Sequence, residues 1–485
     1  MTELDYVVSR FGETFEPFRG RRIVLHGSRD YAREIAARWG ESFGFLGLMS
    51  QEPVEGDRVF GLPLLREDEL AAARAELIIL TERVRYEEDA YQALRPICRE
   101  HDIALYNMYG VNERCVHAEA VLAEHLDEER EERRCRTYDL VAFETMDTVL
   151  YRPAENEELR IRPFFQKLIP ALRAQGKELR FSLRKSVPEA IQIEALRRCG
   201  LLSDGERELL RREGEDLGFR RLRESAPDRR MLYYGQGFVH EFLLPRCYGI
   251  DTRRWVEYTP AEPAPCPAPP PLPLESIREK IREKALISFD IFDTLLCRQV
   301  SQPRDVFAIV ESRARQAGYP AERFAALRER AEGGQPGCTI DDIYELLGAY
   351  YGWPRETEAA MKALELETER EQLAPNPAVV EMLHFAQHEG KRVVLTSDMY
   401  LPGPILRSLL AENGIEGYEA LFVSCECGRD KRGGLFRELL ALEAAPAILH
   451  IGDQLLADCE APVALGIESA WIPPPICGGD REESV

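Results

Sequence analysis

The chain has 485 residues and a mass of 55.3 kDa, with 45% hydrophobic and 31% charged residues, which excludes a disordered or fibrous protein and leaves room for about three domains of roughly 150 residues. Lys and Arg number 63 against 85 Asp and Glu, a net charge of −22, so the average surface repels a phosphate backbone and nucleic acid is not an expected partner. No stretch reaches the roughly 18 apolar residues of a membrane helix, and Met1-Thr-Glu-Leu-Asp-Tyr6 lacks the basic-then-apolar pattern of a secretory signal; no membrane insertion and a cytoplasmic location are the expectations.

From residue 22 to 110, short apolar runs at Arg22 to Gly27, Gly44 to Met49, Glu76 to Leu80 and Ile103 to Tyr106 alternate with helical patterns. Strands interleaved with helices predict a small parallel sheet of Rossmann type within residues 1–115. The first strand enters Gly27-Ser-Arg-Asp-Tyr-Ala-Arg33, a helix start whose backbone N–H groups could hold an anion. Only one glycine of a GxGxxG pattern is present there, so a fold-stabilising turn is the favoured reading. The stretch loosely resembles the nucleotide-sugar-binding N-terminal domain of some bacterial sugar acyltransferases. The run Asp127-Glu-Glu-Arg-Glu-Glu-Arg-Arg134 is expected to end a solvated helix leaving this domain, and Arg220 to Arg223 reads as a solvated helix face.

Pro260 to Pro273 holds eight prolines in fourteen residues, a stiff extended spacer within a linker at 259–275. On either side of it three blocks recur in the same order. Leu140-Val-Ala-Phe-Glu-Thr-Met-Asp-Thr-Val-Leu150 matches Leu286-Ile-Ser-Phe-Asp-Ile-Phe-Asp-Thr-Leu-Leu296, and Gly176-Lys-Glu-Leu-Arg-Phe-Ser-Leu-Arg184 matches Gly390-Lys-Arg-Val-Val-Leu-Thr-Ser-Asp398. Met231-Leu-Tyr-Tyr-Gly-Gln236 matches Ile448-Leu-His-Ile-Gly-Asp453. The repeats predict two tandem α/β domains of one fold, at 136–258 and 276–477. Asp290 to Gly390 spans 100 residues, against 32 from Glu144 to Gly176, so the second copy is expected to carry a helical cap at about 300–388, inserted after its first block. Twelve cysteines without a CxxC pair read as reduced thiols. His384-Phe-Ala-Gln-His388 puts two imidazoles on one helical face but lacks the Glu of a zinc hydrolase motif.

A carboxylate can attack phosphorus only if its repulsion with the phosphoryl oxygens is cancelled, which calls for a divalent cation and fixed donors. The second copy offers such a set in Leu286-Ile-Ser-Phe-Asp290-Ile-Phe-Asp-Thr294, Val393-Val-Leu-Thr-Ser397-Asp398, Gly428-Arg-Asp-Lys431 and Ile448-Leu-His-Ile-Gly-Asp453-Gln-Leu-Leu-Ala-Asp458. These segments resemble the four motifs of the haloacid dehalogenase-like (HAD) superfamily, which sit at the C-terminal ends of parallel strands. The resemblance implies that Asp290 is the nucleophile of an aspartyl-phosphate, that Ser397 donates to the phosphoryl group and that Lys431 neutralises it. It further implies Mg²⁺ held by Asp290, the Phe292 backbone carbonyl and Asp453, supported by Asp458, with Thr294 and Asp398 at the substrate.

Typical phosphatases of the superfamily carry a second Asp two residues after the nucleophile as general acid; here that residue is Phe292. Asp293 could substitute, but its counterpart Asp147 persists where the nucleophile is gone, which favours a turn-stabilising role for Asp293 and Thr294. A missing second Asp is also the pattern of the dehalogenase branch, which needs no metal; the retained Asp453 and Asp458 favour phosphoryl chemistry. More narrowly, Leu373-Ala-Pro-Asn-Pro377, Thr396-Ser-Asp-Met-Tyr-Leu-Pro402 and His450-Ile-Gly-Asp453 resemble a bacterial subgroup of HAD hydrolases associated with glycosyltransferases and surface-polysaccharide loci. That likeness implies a small phosphorylated, sugar-derived metabolite as substrate and glycosyltransferase pathway partners. In the first copy Glu144, Leu183, Gln236 and Glu241 stand where the second has Asp290, Ser397, Asp453 and Asp458, so it is expected to be degenerate. The leading expectation is a Mg²⁺-dependent HAD-type hydrolase; the alternatives are a noncatalytic ligand-binding or scaffold protein of polysaccharide biosynthesis and a dehalogenase-type hydrolase.

Overall fold

The short apolar runs form parallel strands, and helices cover both of their faces. The computed structural model describes residues 3–49, 58–152, 158–184, 187–202, 205–211, 217–256, 273–300, 302–333 and 337–473. The chain divides into two units, Met1–Pro260 and Ala261–Val485. Nearly all of the proline-rich spacer lies outside the described residues.

The first unit begins with a parallel sheet in the order Gly47–Met49, Ile23–His26, Leu77–Leu80, Ala104–Asn107. Alternate residues of its first strand enter opposite cores. Ile23 and Leu25 pack with Val7, Phe11 and Ile35, while Val24 packs with Ile78, Leu80 and Leu94, the period of two expected of a strand buried on both sides. At the turn after this strand, the Gly27 N–H donates to the Met49 carbonyl at 2.9 Å and the Ser28 N–H to the Thr81 carbonyl at 3.2 Å. Gly27 has φ +118°, and a Cβ there would meet the Glu82 carboxylate at 2.5 Å. With both of these donors engaged and a carboxylate alongside, the turn ties the first strand to its two neighbours in the sheet. The acidic run at 127–134 differs from expectation too. It starts the helix Glu128–Cys135, capped by Asp127, and its Glu131 is fully buried, accepting from the Tyr234 hydroxyl and the Arg253 guanidinium, each at 2.8 Å. Arg220, expected on a solvated face, is likewise buried.

Two five-stranded parallel sheets follow, one in each unit. The first is ordered Leu209–Arg211, Glu178–Leu183, Leu140–Glu144, Met231–Gly235, Asp251–Arg254; the second is ordered Ala420–Val423, Arg392–Ser397, Leu286–Phe289, Ile448–Gly452, Glu468–Trp471. Their ladders agree residue for residue with the sequence repeats. Leu140 lies opposite Glu178 and Met231, and Leu286 opposite Arg392 and Ile448. The turn after the central strand also recurs: Asp147 at φ +67° and Asp293 at φ +59° adopt the left-handed conformation that Asp tolerates. Each donates its N–H at 2.7 Å to a carbonyl three residues on, Leu150 or Leu296.

The copies diverge in what the next two-stranded ladder encloses. In the first it pairs Leu150–Tyr151 with Arg160–Ile161; in the second it pairs Leu296–Arg298 with Leu373–Pro375 around four helices, Asp305–Gln316, Phe324–Glu332, Ile340–Tyr351 and Arg355–Gln372. The helical insertion therefore closes near residue 372. Helix Pro377–His388, expected within the cap, instead packs on helix Leu274–Glu283 and strand Arg392–Ser397.

Candidate functional site

In an open parallel sheet, ligands bind beyond the carboxyl ends of the central strands, where the chain turns out of the β-ladder. Asp290, Ser397 and Asp453 stand at the ends of Leu286–Phe289, Arg392–Ser397 and Ile448–Gly452, three adjacent strands. Carboxylate oxygens of Asp290, Asp453 and Asp458 lie within 4.8 Å of one another, and all three residues are buried. Lys431 follows the N-cap residue Asp430, and its ammonium donates to Asp290 Oδ1 and Asp458 Oδ1, both at 2.5 Å. Gly452 makes room for this packing, because a Cβ there would fall 2.4 Å from the Asp458 carboxyl carbon.

One ammonium cannot neutralise three carboxylates. Burial, and behind it the neighbouring Asp458 and Asp453, pushes Asp290 up to about 8 despite the opposing pull of Lys431. Burial with Asp458 and Asp293 nearby lifts Asp453 to about 6. Burial also disfavours charge on Asp458, but Lys431 and His450 outweigh it and hold that carboxyl well below its usual range. The surplus of negative charge and the hard oxygen donors fit a divalent cation such as Mg²⁺, with Asp290, Asp453 and Asp458 the residues that would hold it.

The remaining expected residues take distinct places. Ser397 and Asp398 line the cavity beside Asp290, and Asp398 accepts from the Lys431 backbone N–H at 2.9 Å. Thr294, expected at the substrate, is fully buried and does not line the cavity; its hydroxyl donates to Asp453 Oδ1 at 3.3 Å, so it orients that carboxylate. Phe292 lines the cavity with its ring beneath the Arg298 guanidinium at 4.5 Å. Asp293 also lines it, and Arg298 holds its carboxylate at 3.4 Å. His384 and His388 are exposed, and the metal-compatible cluster found among the described residues is the aspartate set.

Behind the carboxylates runs a polar chain to which the sequence reading assigned no role. His450 Nε2 lies 3.0 Å from Asp458 Oδ1, its Nδ1 lies 2.8 Å from Ser288 Oγ, and Ser288 meets the Thr396 hydroxyl at 2.9 Å. Burial holds the imidazole below its usual value; a neutral ring donating from Nε2 and accepting at Nδ1 satisfies both contacts. The signal was present in three polar residues within otherwise apolar strands, facing one another across the ladder.

The inserted helices roof a cavity of about 420 Å³ over this cluster. Arg298 is bound by Glu369 at 2.7 Å. Arg328, with no exposed surface, makes two 2.8 Å hydrogen bonds to Glu365 and lies between the rings of Phe307 and Tyr400 at 4.4 and 4.3 Å. Glu365 also accepts from the Tyr344 hydroxyl at 2.8 Å. A bidentate guanidinium–carboxylate pair of this kind fixes orientation as well as charge.

At the corresponding position of the first unit Glu144 is buried, and Arg184, aligned with Asp398, bonds it at 2.5 Å and also bonds Asp147. Glu144 further accepts from the Thr148 hydroxyl at 2.6 Å and the Gln236 N–H at 3.1 Å. An internal guanidinium thus occupies the acidic position.

No protein-family model matches the chain, and no curated protein matches it in sequence. Solved structures do. A haloacid dehalogenase-like family hydrolase from Xanthomonas campestris is 17% identical over 42% of this chain and 86% of its own, with a TM-score of 0.30. A predicted phosphoglycolate phosphatase from Haemophilus somnus 129PT is 15% identical over 41% and 92%, with a TM-score of 0.28. A 2-haloacid dehalogenase from Pseudomonas syringae pv. tomato DC3000 is 21% identical over 41% and 91%, with a TM-score of 0.30.

Proposed function

We propose that residues 276–477 form a Mg²⁺-dependent hydrolase of the HAD type, acting through an aspartyl-phosphate on a small phosphorylated, sugar-derived metabolite. The observation that carries the reading is the buried Asp290–Asp453–Asp458 cluster, with Lys431 bonded to Asp290 and Asp458, beneath the helical roof. Asp290 is the nucleophile. Lys431 stabilises charge on the phosphoryl oxygens, Ser397 donates a hydrogen bond to them, and Asp453, Asp458 and the Phe292 carbonyl serve the cation, which when bound offsets repulsion between the nucleophile and the phosphoryl group. The roof limits substrate size. In this reading residues 136–258 are a degenerate copy of the same fold without turnover, the protein acts in the cytoplasm, and its partners are glycosyltransferases of a polysaccharide pathway. Phe292, in place of a proton donor, favours a second reading in which the pocket binds a phosphorylated ligand without turning it over. Phosphate release from a panel of phosphorylated metabolites, with and without Mg²⁺, separates the two: Mg²⁺-dependent turnover lost in Asp290→Asn supports the hydrolase, and Mg²⁺-dependent binding without turnover supports the sensor.

A further inference from the structure

A cavity of about 680 Å³, within the range of small-molecule sites, lies inside the first unit. Residues 108–111, which leave the carboxyl end of the edge strand Ala104–Asn107, form one wall; helices Glu3–Thr14 and Leu217–Ser225 and residues 246–249 form the others. The loop wall is held in shape by the protein itself. The Asn107 side-chain oxygen accepts from the Tyr109 and Val111 N–H groups at 3.1 and 3.0 Å, and Gly110, at φ +83°, packs so closely that a Cβ would fall 2.4 Å from Thr14 Cγ2.

Although the chain as a whole is acidic, the lining carries three guanidiniums, Arg10, Arg223 and Arg246, against one carboxylate, Glu224. Glu224 lies 3.7 Å from Arg220, a buried guanidinium with no hydrogen-bond partner at Nε or Nη1. Arg246 is matched by Glu119 at 2.5 Å. Arg223 gives four of its five N–H groups to the carbonyls of Tyr248, Gly249, Pro227 and Arg229, neutral acceptors that leave its charge uncompensated. Arg10 is exposed, and its ion pair with Glu13 is open to 4.0 Å. Three carboxyls near the loop do not line the cavity: Glu3 accepts from the Tyr109 hydroxyl, and Glu87 and Glu113 hydrogen-bond each other and Asn107. Burial raises the last two, Glu87 to about 7, so that pair withholds part of its charge. Beside the guanidiniums stand rings. Tyr6 and Tyr109, both partly exposed, pack on the buried Tyr248 with centroids 5.5 and 5.7 Å apart, and the Arg10 guanidinium lies 5.6 Å over Tyr6. Flat apolar faces next to uncompensated guanidiniums suit a ligand with both a ring and a negative group.

We propose that this cavity is a binding site for a small organic anion that carries an aromatic ring, its anionic group at Arg10 and Arg223 and its ring against Tyr6 and Tyr109. Guanidiniums take phosphate and carboxylate alike, so the ligand is an aromatic phosphate or an aromatic carboxylate. The site binds without covalent chemistry, because the thiol in its lining, Cys247, is buried and burial holds it well above its usual value. It is independent of the hydrolase reading of the second unit.

The test is calorimetric titration of the full chain in EDTA, so that no divalent cation aids binding in the second unit. Adenosine 5′-monophosphate and benzoate carry the ring and the anion together; inorganic phosphate and acetate supply the anion alone, and adenosine the ring alone. At least one of the two ring-bearing anions should bind, and which one does so assigns the anionic group. The probes with a single feature should bind at least about tenfold more weakly, and Arg10→Ala, at an exposed position that the fold does not depend on, should weaken the ring-bearing anion at least about tenfold, the worth of a charged hydrogen bond. Tyr6→Ala, checked for an unchanged circular dichroism spectrum, should weaken it as well. Binding of neither ring-bearing anion would overturn the inference, as would inorganic phosphate or acetate binding as tightly as its ring-bearing counterpart. Natural affinity in Arg10→Ala, or in a folded Tyr6→Ala variant, would also overturn it, and loss of that affinity in Lys431→Met would place the probe in the second unit instead.

Discussion

Asp290→Asn should make the metal-free protein more stable, and by an amount that depends on pH. The Asp290 carboxyl is lifted from 3.8 to about 8 in the folded chain, so between those values the folded state holds a proton that the unfolded state has released. Stability then falls with rising pH by about 1.4 kcal/mol per unit, and the loss ends near pH 8. At pH 7 the accumulated cost is about 4 kcal/mol; at pH 5 it is under about 2 kcal/mol. The amide keeps the shape of the carboxyl and an oxygen for Lys431, but nothing to titrate. If relaxation of the cluster recovers half the cost, about 2 kcal/mol remains at pH 7, a midpoint rise of about 4–8 °C for a domain of this size. Scanning calorimetry in EDTA from pH 5 to 8 measures it, with the second unit's transition marked by its Mg²⁺ shift. Mg²⁺ should invert the ranking, since saturation at a hundredfold excess over Kd adds about 2.7 kcal/mol to whichever chain binds. A variant no more stable than the natural chain at pH 7, or an advantage that does not shrink at pH 5, refutes the electrostatic account.

Other variants probe the site from different sides. Lys431→Met leaves Asp458 with no ammonium beside it and, on the hydrolase reading, should lower turnover at least about 100-fold in a steady-state assay, because the phosphoryl charge would lose its fixed cation. Asp453→Asn should weaken Mg²⁺ binding at least about tenfold by calorimetric titration, whereas Glu144→Gln should leave it unchanged; equal effects would place the cation in the wrong copy. Arg328→Met strands the buried Glu365 and should cost about 3–5 kcal/mol in urea unfolding, with much of the loss recovered by adding Glu365→Leu. A double variant as unstable as the single one would show that packing, and not the charge, is what Arg328 supplies.

The sheets were readable from sequence because their signal is local: Leu286 to Phe289 and Ile448 to Gly452 are short apolar runs, each ending at an acid. The gathering of Asp290, Ser397, Lys431, Asp453 and Asp458 is what the resemblance of their segments to the HAD motifs implies; Lys431 reaches it from a helical turn, not from a strand end. The roof's charge pairs were not readable. Arg328 and Glu365 are 37 residues apart and Arg298 and Glu369 are 71 apart, and nothing local to any of the four separates it from an ordinary solvated charge. Glu131 was misread in the same way, since nothing in an Asp-Glu-Glu-Arg run shows which carboxylate a distant tyrosine will bury. The resemblance puts Thr294 at the substrate, but the tight turn at Asp293 carries its hydroxyl to Asp453.

Arg184 gives the first unit a built-in counter-ion. Joined to Glu144 and Asp147 by the fold itself, it is present at unit stoichiometry whatever the surrounding solution contains. In the second unit Lys431 bonds two of the three aspartates, Asp290 and Asp458, and a dissolved cation would offset the negative charge that remains. On the proposed reading, chelation of divalent cations should loosen the second unit while leaving the first indifferent.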